Sequence, residues 1–168
     1  MIVTFTAQDL KMIEKLAHGR NDPKIGVVRN RRIDQKRGDL QINFKGLLAE
    51  HAVATALGIK INKETGLYGD GGITDLVFRG KTVQVKYNFY RDGSLYFNFQ
   101  SELKADIAVL VVPHSEKGLN IIGYITQDDF WKQCRPLDWG YGQRWGVPQS
   151  SLTHIMKLKE AEDDASSS

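Results

Sequence analysis

The chain has 168 residues, 41% hydrophobic and 26% charged, with a formal net charge of +3, a balance that predicts one hydrophobic core and excludes a disordered or membrane-embedded chain. Its longest purely apolar run, Ile107 to Val112, falls far short of the ~20 residues that cross a bilayer. A lone cysteine, Cys134, rules out an internal disulfide and a cysteine-based zinc site, and the first residues lack the basic and apolar regions of a signal peptide, so a cytoplasmic protein is expected.

Thr6 with Asp9 three residues on reads as an N-cap, and Leu10, Ile13, Leu16 and Ala17 follow at helical spacing up to Gly19, which predicts a short first helix. Residues 20–42, with Gly26 and Gly38, are expected to form a long basic loop. Within 23–38 stand six bases (Lys24, Arg29, Arg31, Arg32, Lys36, Arg37) and one acid, Asp34, so that segment is +5 and the remainder −2. This asymmetry points to a polyanionic partner, against the plainer reading of a solvated loop.

Asn43 is placed to cap a second helix from Phe44 to about Leu57, closed by Gly58. On its wheel Glu50 shares the core-facing stripe with Leu47, Val53 and Leu57, flanked by the small residues Gly46 and Ala54. An inward carboxylate needs a cation, a proton or a partner, and the plain alternative is a salt bridge to Lys86 or an arginine.

Residues 60–72, with Gly66, Gly69, Gly71 and Gly72, read as loop, followed by a hairpin of Ile73 to Phe78 and Lys81 to Phe89. Period-two alternation puts Gln84, Lys86 and Asn88 on one face and Val83, Val85 and Tyr87 on the other. With a two-residue loop, Arg79-Gly80 or Gly80-Lys81, Asp75 joins the first face opposite Gln84 or Lys86; a bulged three-residue loop would spoil this. Further strands are expected at Leu95 to Phe99, Asp106 to Val112 and Asn120 to Thr126, the apolar middle one central and covered on both faces.

A helix at Asp128 to Cys134 comes next, then an aromatic, glycine-rich irregular stretch from Trp139 to Gly146 that reads as a lid over the sheet, in preference to a base-stacking platform. A short helix or strand near Leu152 to Leu158 closes a single domain, 1–158, and the acidic, serine-ended tail, 159–168, is expected to be disordered. The fold class is α/β (α+β): a mixed central sheet of about five strands flanked by helices.

Taken together, Gly46-Leu47-Leu48-Ala49-Glu50, Gly72-Ile73-Thr74-Asp75-Leu76-Val77 and Val83-Gln84-Val85-Lys86 resemble the PD-(D/E)XK nuclease superfamily. In that family a helical acid precedes a hairpin bearing Asp and then acid-x-Lys, and an apolar strand follows. The likeness spans roughly residues 43–112 and extends to small standalone phage-encoded proteins with this core. It implies a restriction-endonuclease-like fold and a Mg²⁺-dependent DNA nuclease, with Mn²⁺ able to substitute, acting in the cytoplasm of a bacterial or phage-infected cell, with a lean toward a homodimer. By the same likeness Glu50, Asp75, the Gln84 side-chain oxygen and the Val85 carbonyl would hold the metal, and Lys86 would orient the attacking water or stabilise charge on the phosphate.

One departure is Gln84, where the family carries an acid; it leaves two negative ligands in place of three, and with them weaker metal binding. DNA contacts are expected first from Arg29, Arg31, Arg32, Lys36 and Arg37, then from Lys45, Asn88, Tyr90 and Arg91. Two rival readings stand beside this one: a DNA-binding protein on the same fold without catalysis, and an unrelated α+β interaction module in which Glu50, Asp75 and Lys86 form a structural ion network. No P-loop, histidine metal spacing or G-x-S-x-G frame supports other chemistries.

Overall fold

In the computed structural model, residues 1–20, 33–59, 76–98, 102–138 and 143–160 are described, 16–20, 33–43, 138 and 143 of them in backbone only. Strand β1 (Ile2–Thr4) leads into helix α1 (Ala7–Arg20). Thr6 starts this helix by a reciprocal pair: the Asp9 N–H donates to Thr6 Oγ1 at 3.0 Å and the Thr6 N–H donates to Asp9 Oδ2 at 3.1 Å. Two donors that the helix cannot satisfy internally are thereby paired.

Helix α2 runs Ile33–Leu57, which corrects the expected long loop and the cap at Asn43: part of the basic segment, Lys36 and Arg37 included, is helical. Gly38 inside a helix costs only about 1 kcal/mol relative to alanine, less than a continued turn of good helix formers and packing further along returns. At the far end Gly58 takes φ +75°. There the Ile59 N–H reaches the Ala54 carbonyl at 2.8 Å and the Gly58 N–H the Thr55 carbonyl at 3.2 Å, a left-handed stop of the kind glycine permits.

After α2 come β2 (Leu76–Phe78), β3 (Lys81–Tyr87), β4 (Leu95–Phe97), β5 (Ile107–Ser115), β6 (Gly118–Thr126), α3 (Gln127–Gln133), β7 (Arg135–Asp138) and β8 (Gln143–Val147), with residues 155–160 in a last helical stretch. The main sheet is mixed and five-stranded, ordered β1-β6-β5-β3-β2, with β3 and β5 parallel and the other neighbours antiparallel. The class and the strand number agree with expectation, but the membership differs. Strand β4 leaves to form a second sheet, β4-β8-β7, and β1, too short for its alternation to show, takes the edge beside β6.

The stretch expected to be irregular contributes β8, whose Gly146 sits where an added Cβ would lie 2.9 Å from the Leu95 carbonyl oxygen and 2.6 Å from a Leu137 methyl. Glycine there marks close strand packing, not a loop. Residues 139–142 and the tail 161–168 lie outside the described residues, while Lys159 and Glu160 of the expected tail are helical.

Strand β5 is buried on both faces. Ile107, Val109 and Val111 join one cluster with α2 (Leu47, Val53, Leu57), Val83 and Ile121. Ala108, Leu110 and Val112 join another with Leu95, Phe97, Phe130 and Val147. Alternate residues of one strand thus feed two hydrophobic layers, which is what a central strand requires. Thr82 and Asp106 tie the starts of β3 and β5, the Thr82 N–H donating to Asp106 Oδ2 at 3.0 Å and the Asp106 N–H to Thr82 Oγ1 at 2.9 Å.

Candidate functional site

The β2–β3 hairpin turns on Arg79-Gly80, with φ +48° and +83°, the two left-handed residues of a type I′ turn. Arg79 bears that conformation without glycine's freedom, its guanidinium 4.9 Å over the Phe78 ring and its Nη1 donating to the Lys159 carbonyl at 3.2 Å. The register is Phe78↔Lys81, Val77↔Thr82 and Leu76↔Val83, that of the two-residue loop which at the sequence level sets Asp75 against Gln84. Asp75 itself lies outside the described residues.

Along β3, Gln84 pairs with Ala108 and Lys86 with Leu110, so both side chains share the face of the β4 and α3 layer. Both are half-buried. The Lys86 ammonium sits 5.1 Å over the Phe97 ring, a cation–π contact that fixes a long side chain against a buried aromatic. Phe97 was not legible as a partner from sequence, because its strand belongs to the second sheet. Val83, Val85 and Tyr87 face the other way, toward α2.

Glu50 is the one buried charged side chain among the described residues, 9% exposed on a helix whose Leu47, Val53 and Ala54 are nearly inaccessible. A Cβ added at Gly46, one turn earlier, would meet nothing within 4 Å among those residues. Helix α2 covers the Val83 face, so Glu50 on the one hand and Gln84 and Lys86 on the other belong to opposite sides of the sheet. The structure sets Gln84 and Lys86 on one face of β3 and packs the helix that carries Glu50 on the other.

Carboxylate, amide and carbonyl oxygens are the donors a hard cation prefers. Among the described residues, however, no three Asp, Glu, His or Cys side chains gather as a metal site. The donor types fit Mg²⁺; the described geometry does not assemble them.

Of the expected DNA contacts, Arg29, Arg31 and Arg32 lie outside the described residues, and Lys36 and Arg37 are described in backbone only. Lys45 lines a cavity of about 160 Å³ with Phe5, Leu10, Glu14, Phe44 and Glu116. Asn88 is occupied in its own loop: its Nδ2 donates to the Ser94 carbonyl at 3.0 Å and its Oδ1 accepts the Tyr90 N–H at 3.0 Å. Arg91 Nη2 donates to the His114 carbonyl at 2.6 Å. Tyr90 projects into solvent, 73% exposed.

His51 leans on α1, with Nε2 3.8 Å from Asp9 Oδ1 and its ring 5.9 Å from that of Phe5. Burial lowers its pKa, and Asp9 offsets part of that shift. Burial likewise pushes the Cys134 thiol up, against smaller opposing effects of a backbone hydrogen bond and Arg135, which disfavours a thiolate nucleophile. No helix among the described residues is long and apolar enough to cross a membrane.

No protein-family model, curated protein or solved structure matches this chain.

Proposed function

We propose that this chain is a metal-dependent deoxyribonuclease of the PD-(D/E)XK type, an endonuclease on a restriction-endonuclease-like fold that acts in DNA processing, recombination or restriction. The observation that carries the reading is Glu50, a carboxylate buried among Leu47, Val53 and Ala54 of α2, ahead in the chain of a hairpin whose second strand sets Gln84 and Lys86 on one face. The chain also keeps the order of the family core: acid-bearing helix, hairpin, apolar central strand.

In this reading Asp75, the Gln84 amide oxygen and the Val85 carbonyl would hold Mg²⁺, or Mn²⁺ in its place, and Glu50 would complete the set by reaching round the β2 edge of the sheet from the α2 side. The ion supplies polarisation of the scissile phosphate and a more acidic attacking water. Lys86 contributes a fixed positive charge where negative charge develops on the phosphate, and its contact with Phe97 limits the positions it samples. DNA is the partner, and two copies would cut two strands.

A second reading, a DNA-binding domain without catalysis, is favoured by two observations: a neutral amide stands at position 84, and Lys86 is drawn over Phe97 on the face away from α2. One experiment separates the two. Closed circular, linear and four-way-junction DNA are incubated with the protein in Mg²⁺ or in EDTA. Nicking of circles in Mg²⁺ alone, abolished in Lys86→Ala while DNA binding in EDTA persists, is the expected result. Tight binding without hydrolysis in Mg²⁺ or Mn²⁺ selects the second reading, and full cutting by Lys86→Ala removes Lys86 from the site.

A further inference from the structure

The chain leaves β3 through a loop, residues 88–94, that puts two neighbouring aromatic side chains into water: Phe89, 51% exposed, and Tyr90, 73% exposed. The loop is tied from every side. Asn88 bonds to Tyr90 N–H and to the Ser94 carbonyl, and the Gly93 N–H donates to the Tyr90 carbonyl at 3.0 Å. From outside, Gln149 Nε2 donates to the Arg91 and Gly93 carbonyls at 2.8 and 3.0 Å, and the Asn88 N–H donates to the Val111 carbonyl at 3.0 Å. A Cβ on Gly93 would stand 2.2 Å from the Asn88 amide, so a side chain there would displace the amide that ties the loop. The Tyr87 ring meets Phe89 edge-on, centroids 4.9 Å apart, which orients the Phe89 face.

Two rings held by a pre-organised backbone, yet left in water, forgo the burial worth ~25 cal/mol per Å² that aromatic side chains ordinarily gain. Their place narrows what would cover them. They stand just past the end of β3, three and four residues beyond Lys86 or roughly 10 and 13 Å of chain at ~3.3 Å per residue, Phe89 on the Tyr87 side of the strand, with the cationic side chain of Arg91 next in line. A planar, apolar face carried on an anionic backbone matches that combination, and the bases of a paired duplex do not expose such faces.

We propose that Phe89 and Tyr90 form a stacking platform for unpaired bases, so that the substrate is DNA with a single-stranded portion beside the cutting site. This rests on the nucleic-acid reading above and narrows it from DNA in general to unpaired strands. The platform engages before and apart from any metal chemistry.

The test is fluorescence anisotropy in EDTA with a labelled single strand of about 20 nucleotides, longer than the sites of typical single-strand binders, and with the blunt duplex of the same sequence. Because both rings lie on the surface, the double variant Phe89→Ala/Tyr90→Ala is expected to fold, which circular dichroism checks. Its affinity for the single strand should fall at least about tenfold, as lost base stacking predicts, with duplex affinity within about twofold of wild type. Tyr90→Trp should hold the single strand and Tyr90→Leu should not, separating stacking from plain apolar contact.

Equal losses on both DNAs, retention by Tyr90→Leu, or no single-strand binding by the wild type would each overturn the platform. Metal-free binding also separates this from the nuclease proposal. A protein that grips single strands through these rings and never cuts sinks the latter alone; one that cuts, with variants that bind normally, sinks the former alone.

Discussion

At the scale of single residues, position 84 decides how strongly an ion could be held. An amide oxygen coordinates a hard cation but brings no charge, and affinity in such oxygen sites follows the number of charged ligands. Gln84→Glu changes one atom type at nearly constant volume on a half-buried face beside Lys86. If Gln84 is a ligand, the Mg²⁺ concentration for half-maximal cleavage should drop on the order of tenfold in this variant, as a third carboxylate implies. A titration curve superimposable on wild type would remove Gln84 from the ligand set. That Gln84 and Lys86 share a face was legible from alternation alone, since a strand has only two sides. Which side α2 occupies was not, because it depends on the sheet order β5-β3-β2 and on which layer each face meets, a long-range matter that local periodicity does not encode.

Between elements, the join of α1 to α2 carries a titrating group. His51 packs on Phe5 and faces Asp9 at the start of α1, and burial holds its pKa below the ordinary 6.5 despite the pull of Asp9. The unfolded chain therefore takes up a proton at a higher pH than the folded chain. The contribution of His51 to stability is fully present above pH 6.5 and is lost as pH falls through its lowered folded value. Urea midpoints measured from about pH 7.5 down to about pH 5 should decline more steeply in wild type than in His51→Gln, the difference being this residue's proton linkage. Parallel declines would show that His51 binds protons alike in both states.

The capping box of α1 and the glycine stop of α2 were readable because each is a local bargain among a few neighbours: Thr6 with Asp9, and Gly58 with Ala54 and Thr55. The start of α2 is not legible in the sequence for the converse reason. Charge and two glycines suggested a loop, whereas helix propensity is a weak prior that length and packing override.

For the whole molecule the governing fact is the uneven charge, +5 in residues 23–38 against −2 elsewhere. Part of that charge, Lys36 and Arg37, rides on α2, the helix that also carries Glu50 fewer than four turns further on. A helix that delivers both cations and the buried carboxylate would couple strand capture to the proposed site, so phosphate neutralisation should appear in the salt dependence of binding. Each phosphate contact on duplex DNA contributes about −0.9 to the slope of log K against log salt concentration. Lys36→Gln/Arg37→Gln should therefore flatten the slope by about 2 and weaken binding to any sequence alike, since backbone contacts carry no base information. Anisotropy titrations of the folded variant across about 50 to 200 mM salt measure it directly, that being the range over which such contacts lose most of their strength. A weakened but equally steep line would assign these two cations to intramolecular pairing, and an unchanged line would move the DNA path away from α2 altogether.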